Sequence, residues 1–417
     1  MTQTSSETET GDGDPTTGDG DGDGDGDGDG DPMLCMGDEE CTDPAMPFCD
    51  LNTGMCVSCD ALLAADEACA SLGDGSTPVC LDGSCVQCAE GKEEACVDTT
   101  PVCDTAANVC VACSDHDQCP DSACNLAEGN CIDPGNVFHV DADDPCDVGD
   151  GSEASPFCSI EEALAAAPSE VLIYLHERGL NPMVYLESNP ISTTVALFAA
   201  PDEEPVVVGS GAAALSVNAS GVLLLRGIEI SGTLNGAAGL LVDGGIAWVD
   251  QCKVVNNSGG GIVVDGGGTL SLENSFLGGD SNNPALDVID GSIDLVYATL
   301  GLAPAVAVPA LQCSGNASGT VRNSILLTSN GADVDCPGVT VKTSALSSAT
   351  GDNTALGALD IGWFDDYLNG DLHLSGMHPP ALETAAVWTD GDPEQDIDGE
   401  ARPATDGAPD VAGADIP

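Results

Sequence analysis

From Asn136 onward, short aliphatic runs alternate with clusters of Gly, Asn, Asp and Ser, and the alternation repeats at nearly constant length. The segments ALSV, GLLV, GIVV, ALDV and ALQC align Leu215, Leu240, Ile262, Leu286 and Leu311 at spacings of 25, 22, 24 and 25 residues. A second column, read through LLRGI, VDQCK, LENSF, VYATL and VRNSI, aligns Gly227, Cys252, Ser275, Thr299 and Ser324 at spacings of 25, 23, 24 and 25. Two columns that share a period, with room for two or three short strands and polar corners per turn, describe a parallel β-helix whose coils bury their faces on one another. A leucine-rich repeat is excluded, because L-x-x-L-x-L-x-x-N does not recur. The expected fold is therefore all-β over residues 136–389, a solenoid.

The columns also assign single residues. Cys252, the odd one of 21 cysteines, stands among Gly, Ser and Thr and is expected to be a buried free thiol filling core space. Gln251, Asn274 and Asn323 precede the small column and suggest a polar ladder, interrupted by Arg226 and Ala298. Cys313 and Cys336 lie almost one coil apart, so a bridge between adjacent coils is expected.

The domain opens with VFHVDADDPCDVGDGSEASPFCSIEEALAAA. Here an extended stretch leads into a Gly/Asp loop and then a helix from Ser159 to Ala167, with Ser159 as N-cap and Glu162 completing a capping box. VLIYL follows as a buried strand. This series resembles the start of right-handed parallel β-helices of the pectate-lyase-like class, which implies that the helix caps the open end of the solenoid. Cys146 and Cys158 bracket the loop and are expected to pair.

Before this domain the pattern is set by cysteine. Cys35, Cys41, Cys49 and Cys56 form one unit, and Cys59, Cys69, Cys80 and Cys85 a second. Cys88, Cys96, Cys103 and Cys110 form a third, and Cys113, Cys119, Cys124 and Cys131 a fourth, so each C-x-x-C is a junction between units. Redox chemistry needs a thiolate stabilised by nearby cations, yet Lys92 is the only Lys or Arg between residues 35 and 131. Zinc would want matched ligand pairs rather than these unequal gaps. Disulfides remain, two per unit with their connectivity open, supplying the stability that so few apolar residues cannot. The units resemble the short cysteine-rich repeats of bacterial extracellular proteins, in CTDPAMPFCD, NTGMCVSC and TPVCDTAANVCVAC; the second unit departs in its longer gaps. The modules occupy residues 35–134, and the compartment is oxidising.

Charge narrows the partners. Seven Lys and Arg against 71 Asp and Glu leave a formal net charge of −64, a surface that repels nucleic acid and anionic membranes. Residues 1–34, dominated by a Gly/Asp run, read as a disordered acidic tether. No Glu stands twelfth in any D-x-D-x-D-G frame, which excludes an EF-hand. No apolar run suits a transmembrane helix. No signal peptide follows Met1, so an export signal, of lipoprotein type, is expected upstream.

AWVDQC resembles the W-x-D-H segment of pectate lyases, but Gln251 replaces the His, and the cations between residues 137 and 389 are only Arg178, Arg226, Lys253, Arg322 and Lys342. Of the polygalacturonase segments only Asp365-Asp366 is present. His139, His176, His373 and His378 lack neighbours that would mark a triad. The tail, residues 390–417, resembles the terminal segment of the choice-of-anchor Q family through Asp396, Asp398, Gly399, Arg402 and Pro403, then Pro409, Asp410, Gly413 and Ala414. The extra Ala412 departs from that pattern. The expectation is a C-terminal cap built from an Arg among carboxylates, the alternative a Ca²⁺ site on Asp390, Asp392, Asp396 and Asp398. These features favour an extracellular or surface-tethered structural or binding protein, monomeric, recognising neutral glycans or surface proteins, with no assigned catalytic residue or other cofactor. The competing reading is a glycosidase on neutral polysaccharide, ahead of a polysaccharide lyase, using face-exposed carboxylates.

Overall fold

The computed structural model describes residues 34–143, 149–180, 183–348 and 351–417. All but the last residue of the expected tether, and Cys146 with its expected pairing to Cys158, lie outside the described residues. The described residues form two compact units, divided between Gln87 and Cys88.

In the first unit each cysteine module is a hairpin stapled from behind. Cys49 stands opposite Cys56, and Cys80 opposite Cys85, across two antiparallel pairs. The bridges are Cys35–Cys49, Cys41–Cys56, Cys59–Cys80 and Cys69–Cys85. The longer gaps of the second module hold a helix, Ala65–Ser71, whose Cys69 is buried with Phe48 and Cys59. The second unit repeats the scheme with Cys88–Cys103, Cys96–Cys110, Cys113–Cys124 and Cys119–Cys131. First pairs with third and second with fourth every time. All sixteen sulfurs of the four modules are in cystines.

The rest of the second unit is a parallel β-helix of seven complete turns built from three sheets. One turn runs through Leu215–Val217 in a seven-stranded sheet, Val222–Arg226 in the first nine-stranded sheet and Glu229–Ser231 in the second. The aliphatic column is in register as Leu215, Leu240, Ile262, Leu286, Leu311 and Val334, directly paired strand to strand. These side chains share one core with the inward residues of the other sheets. Cys313 bonds Cys336 between adjacent turns, and Cys252 is buried and unpaired.

The small column needs a one-residue correction at two places. Paired strands put Ile228 and Ala298, not Gly227 and Thr299, level with Cys252, Ser275 and Ser324. The hydrogen bonds agree, since Cys252 N donates to Ser275 Oγ, Ala298 N to Ser324 Oγ and Ser324 N to Ser344 Oγ. The preceding position is then Gly227, Gln251, Asn274, Tyr297, Asn323 and Thr343, and all six have positive φ. The corner thus selects for the left-handed conformation, which Gly and Asn adopt at least cost. Arg226 does not interrupt it; it sits one residue earlier, at a strand end.

Helix Ile160–Ala166 starts from Ser159, whose Oγ accepts the Glu162 N–H. Glu162 reaches back to the N–H of Cys158, one residue before the position a capping box predicts. Ile160 and Ala163 are fully buried with Val140 and Val171, at the start of the solenoid core.

Two elements cover outer faces of the solenoid. The fourth module sets Ala123 and Ile132 against Leu172, Ala196 and Leu224 of the first nine-stranded sheet. The strands it covers are accordingly apolar on both faces, as VLIYL and VLLL show. Beyond Ala355, the last ladder residue, the chain folds back along the second nine-stranded sheet. There it buries Phe276, Tyr297 and Ile325 with Trp388, Ile397 and Ala414. The terminal segment expected as an end cap is therefore a lateral strap. Its Arg402 does sit among carboxylate and carbonyl oxygens: Nη1 contacts Asp410 at 3.3 Å and Nη2 donates to Gly413 O at 3.0 Å, while the guanidinium lies 3.7 Å over the Tyr297 ring.

Candidate functional site

Between the fourth module, the corner of the two nine-stranded sheets and the strap lies a cleft of 870 Å³. Its floor includes Tyr174, Phe198 and Arg226, outward residues at the ends of successive strands. Lys253 and Glu229 follow from the second sheet, His116 and Asp117 from the module, and Gln395 and Asp398 from the strap.

Most of these groups are held in place. Arg226 Nε donates to Gln251 Oε1 at 3.1 Å and lies 3.5 Å from Asp250, and Nη1 is 3.8 Å from Asp117. Gln251, turned outward by its corner, donates to Asp396 O at 2.8 Å and so fixes the strap wall. His116 packs edge-on to Phe198 at 4.7 Å, and burial, then Arg226, pushes its pKa down to about 4, leaving a neutral imidazole. On the opposite wall Glu203 is held 3.1 Å from His176 Nδ1, and His176 Nε2 lies 3.1 Å from His139 Nδ1. Lys253 Nζ is 4.0 Å from Glu204. Two of the chain's seven Lys and Arg thus line one cleft in a strongly acidic molecule.

Just beyond Arg226 on the same face, Asp250 and Glu273 are neighbours on adjacent paired strands. Burial raises the Asp250 carboxyl against the pull of Arg226, and Asn274 Nδ2 donates to it at 3.3 Å. Burial, then the charge of Asp250, pushes Glu273 up to about 7. This has a testable sign. Unfolded Glu titrates near 4.3 (about), so between there and about 7 the folded chain holds a proton that the unfolded chain has released. Stability is then greatest below the unfolded value and is lost as pH rises through the folded one, by up to about 3 kcal/mol, reduced by solvent at the rim. Glu273→Gln is expected to flatten this slope and raise the midpoint of thermal unfolding at pH 8 relative to the parent; equal slopes for the two proteins would remove the assignment.

The other sequence candidates are dispersed. Asp390, Asp392, Asp396 and Asp398 do not gather: among the described residues no three of them bring ligand oxygens together. Asp392 pairs with Arg322 and accepts from Asn323 and Thr389, while Asp396 accepts the N–H groups of Asp398, Glu400 and Ile416. Asp365 and Asp366 are exposed on a separate hairpin of the strap. His378 caps a turn through Ser375 O, 3.5 Å from Glu383. Sequence reasoning missed the grouping of His373 with Asp398 and Asp415, whose only local signal is Asp371 two residues before His373.

A family of unknown function (DUF8331) matches residues 19–137, the stretch that carries the disulfide modules. No curated protein matches the chain. Among the described residues no helix is long and apolar enough to cross a membrane. The disulfide framework of the modules is consistent with an extracellular protein, since such staples persist in oxidising compartments.

Proposed function

We propose that the protein is a surface-displayed binding protein whose cleft takes a segment of neutral glycan. The observation that carries this reading is the cleft itself, in which a pre-positioned guanidinium, a neutral imidazole, amides and carboxylates stand beside the half-buried ring of Tyr174. Planar polar groups of this kind make paired hydrogen bonds to vicinal hydroxyls, and an aromatic face packs against the C–H side of a sugar. The acidic surroundings disfavour polyuronates. Neutral polysaccharides titrated calorimetrically against the full chain are expected to bind, and Arg226→Ala to weaken binding at least tenfold. Equal affinity in the variant, or preference for an acidic chain, would count against the cleft.

A second reading rests on Asp250 and Glu273. Adjacent parallel strands are roughly 4.8 Å apart, near the roughly 5–5.5 Å separation of the carboxyl pair in retaining glycosidases. A pair in which one partner is protonated near neutrality is suited to acid–base work. Product analysis on the polysaccharides that bind separates the two: new reducing ends that vanish in Glu273→Gln would make this an enzyme, and binding without release keeps it a receptor.

A further inference from the structure

The strap carries a second constellation that neither reading uses. His373 lies on the strand Asp371–Leu374, Asp398 in the turn after Gln395, and Asp415 two residues short of the last position. One ligand atom from each lies within 4.8 Å of the others. Asp371 Oδ1 contacts His373 Nδ1, which sets the tautomer and leaves the Nε2 lone pair free. The ring is further held edge-on against Phe276 at 4.8 Å.

Nε2 is the informative atom. It is buried and has no hydrogen-bond partner, although Asp398 Oδ2 stands 3.1 Å away, because the two are out of line for one. Neighbouring donors placed side by side around a common point, rather than pointing at each other, is the arrangement of ligands around an ion. Asp415 is itself 5 % exposed, one of its oxygens taking the Leu374 N–H at 2.6 Å. The two carboxylates share an anchor: Asp396 accepts from Asp398 N and from Ile416 N, tying the turn that bears Asp398 to the terminal segment that bears Asp415.

We propose that His373 Nε2, Asp398 and Asp415 form a divalent transition-metal site, of zinc type, with Asp371 as the carboxylate behind the imidazole. One imidazole and two carboxylates are the mixed N/O set such ions take, with further positions left to solvent, whereas Ca²⁺ and Mg²⁺ favour all-oxygen shells. The ion would clamp the strap at three points, spaced 25 and 17 residues apart in sequence.

The test uses the full chain, stripped with EDTA and titrated with Zn²⁺ alone at physiological salt, where loose uptake by so acidic a surface is screened. One saturable site is expected above that background. Asp398→Asn, at a half-exposed side chain and safe for folding, should weaken it at least tenfold, and His373→Gln should abolish it. Asp371→Asn, a positioning change, should cost about 10- to 100-fold in affinity. Co²⁺ should give a visible d–d band that both ligand variants lose. Zn²⁺ uptake unchanged in Asp398→Asn, no stoichiometric site in the parent, or Ca²⁺ bound as tightly as Zn²⁺ would each overturn the assignment; if His373→Gln fails to fold, Asp398→Asn and the Co²⁺ band decide.

Discussion

Replacing Ser275 by Arg is expected to leave little folded protein. Ser275 is fully buried, its Oγ accepting from Cys252 N at 3.0 Å and donating to Glu273 O at 2.6 Å. A guanidinium there would be an unpaired charge in a wall of stacked small side chains, a change on the order of 4–5 kcal/mol or more. The midpoint of thermal unfolding should fall by more than about 10 °C if the chain folds at all. Asp265→Arg is the control. Asp265 ends a strand beside Asp243 and holds only the Gly266 N–H, and its charge helps raise Asp287. Reversing that charge should shift stability by no more than about 0.5 kcal/mol. Similar unfolding curves for the two variants would mean that the inward column is wrongly placed.

Arg402→Ala should be the most damaging single change in the strap. Arg402 and Asp410 side chains are 0 % and 4 % exposed, so the truncation leaves a buried carboxylate without its partner and the Tyr297 ring without its cover. Losses of about 3–5 kcal/mol follow from breaking such a pair. Replacing both, Arg402→Met with Asp410→Leu, should recover most of the loss, because the cost lies in the stranded charge. Denaturant unfolding of the three proteins checks this; a double variant as weak as the single one would show that the stacking on Tyr297, and not the charge, dominates.

The solenoid was legible because one position per turn, Leu215 through Leu311, must be aliphatic to face the core. The small column was less so. Gly227 and Thr299 are small enough for the column, and size alone does not separate an inward site from the corner before it or the strand start after it. Conformation does: the corner is where φ turns positive, and Tyr297 occupies it despite its bulk because the strap covers its ring. Module connectivity was open because four cysteines allow three pairings, and only the hairpins that set Cys49 beside Cys56 choose one. The outer-face packing left a trace in VLIYL and VLLL, runs too continuous for strands with one wet side. The cleft left none, and the His373 group only Asp371 two residues before it, since their residues meet only after the strap doubles back.

That doubling back alters how the molecule comes apart. A stack of turns in which each touches only the next can fray from its free end, one turn at a time. Here Gln251 bonds Asp396, Thr299 bonds Ala414 and Asn323 bonds both Val387 and Gly413. Three separate turns are laced to one segment, so none of them can peel away while it stays docked, and the array should melt as a block with the strap rather than unzip. The same lacing bears on assembly: residues made after the last turn must return across the earlier ones, a long-range closure of the kind expected to slow folding.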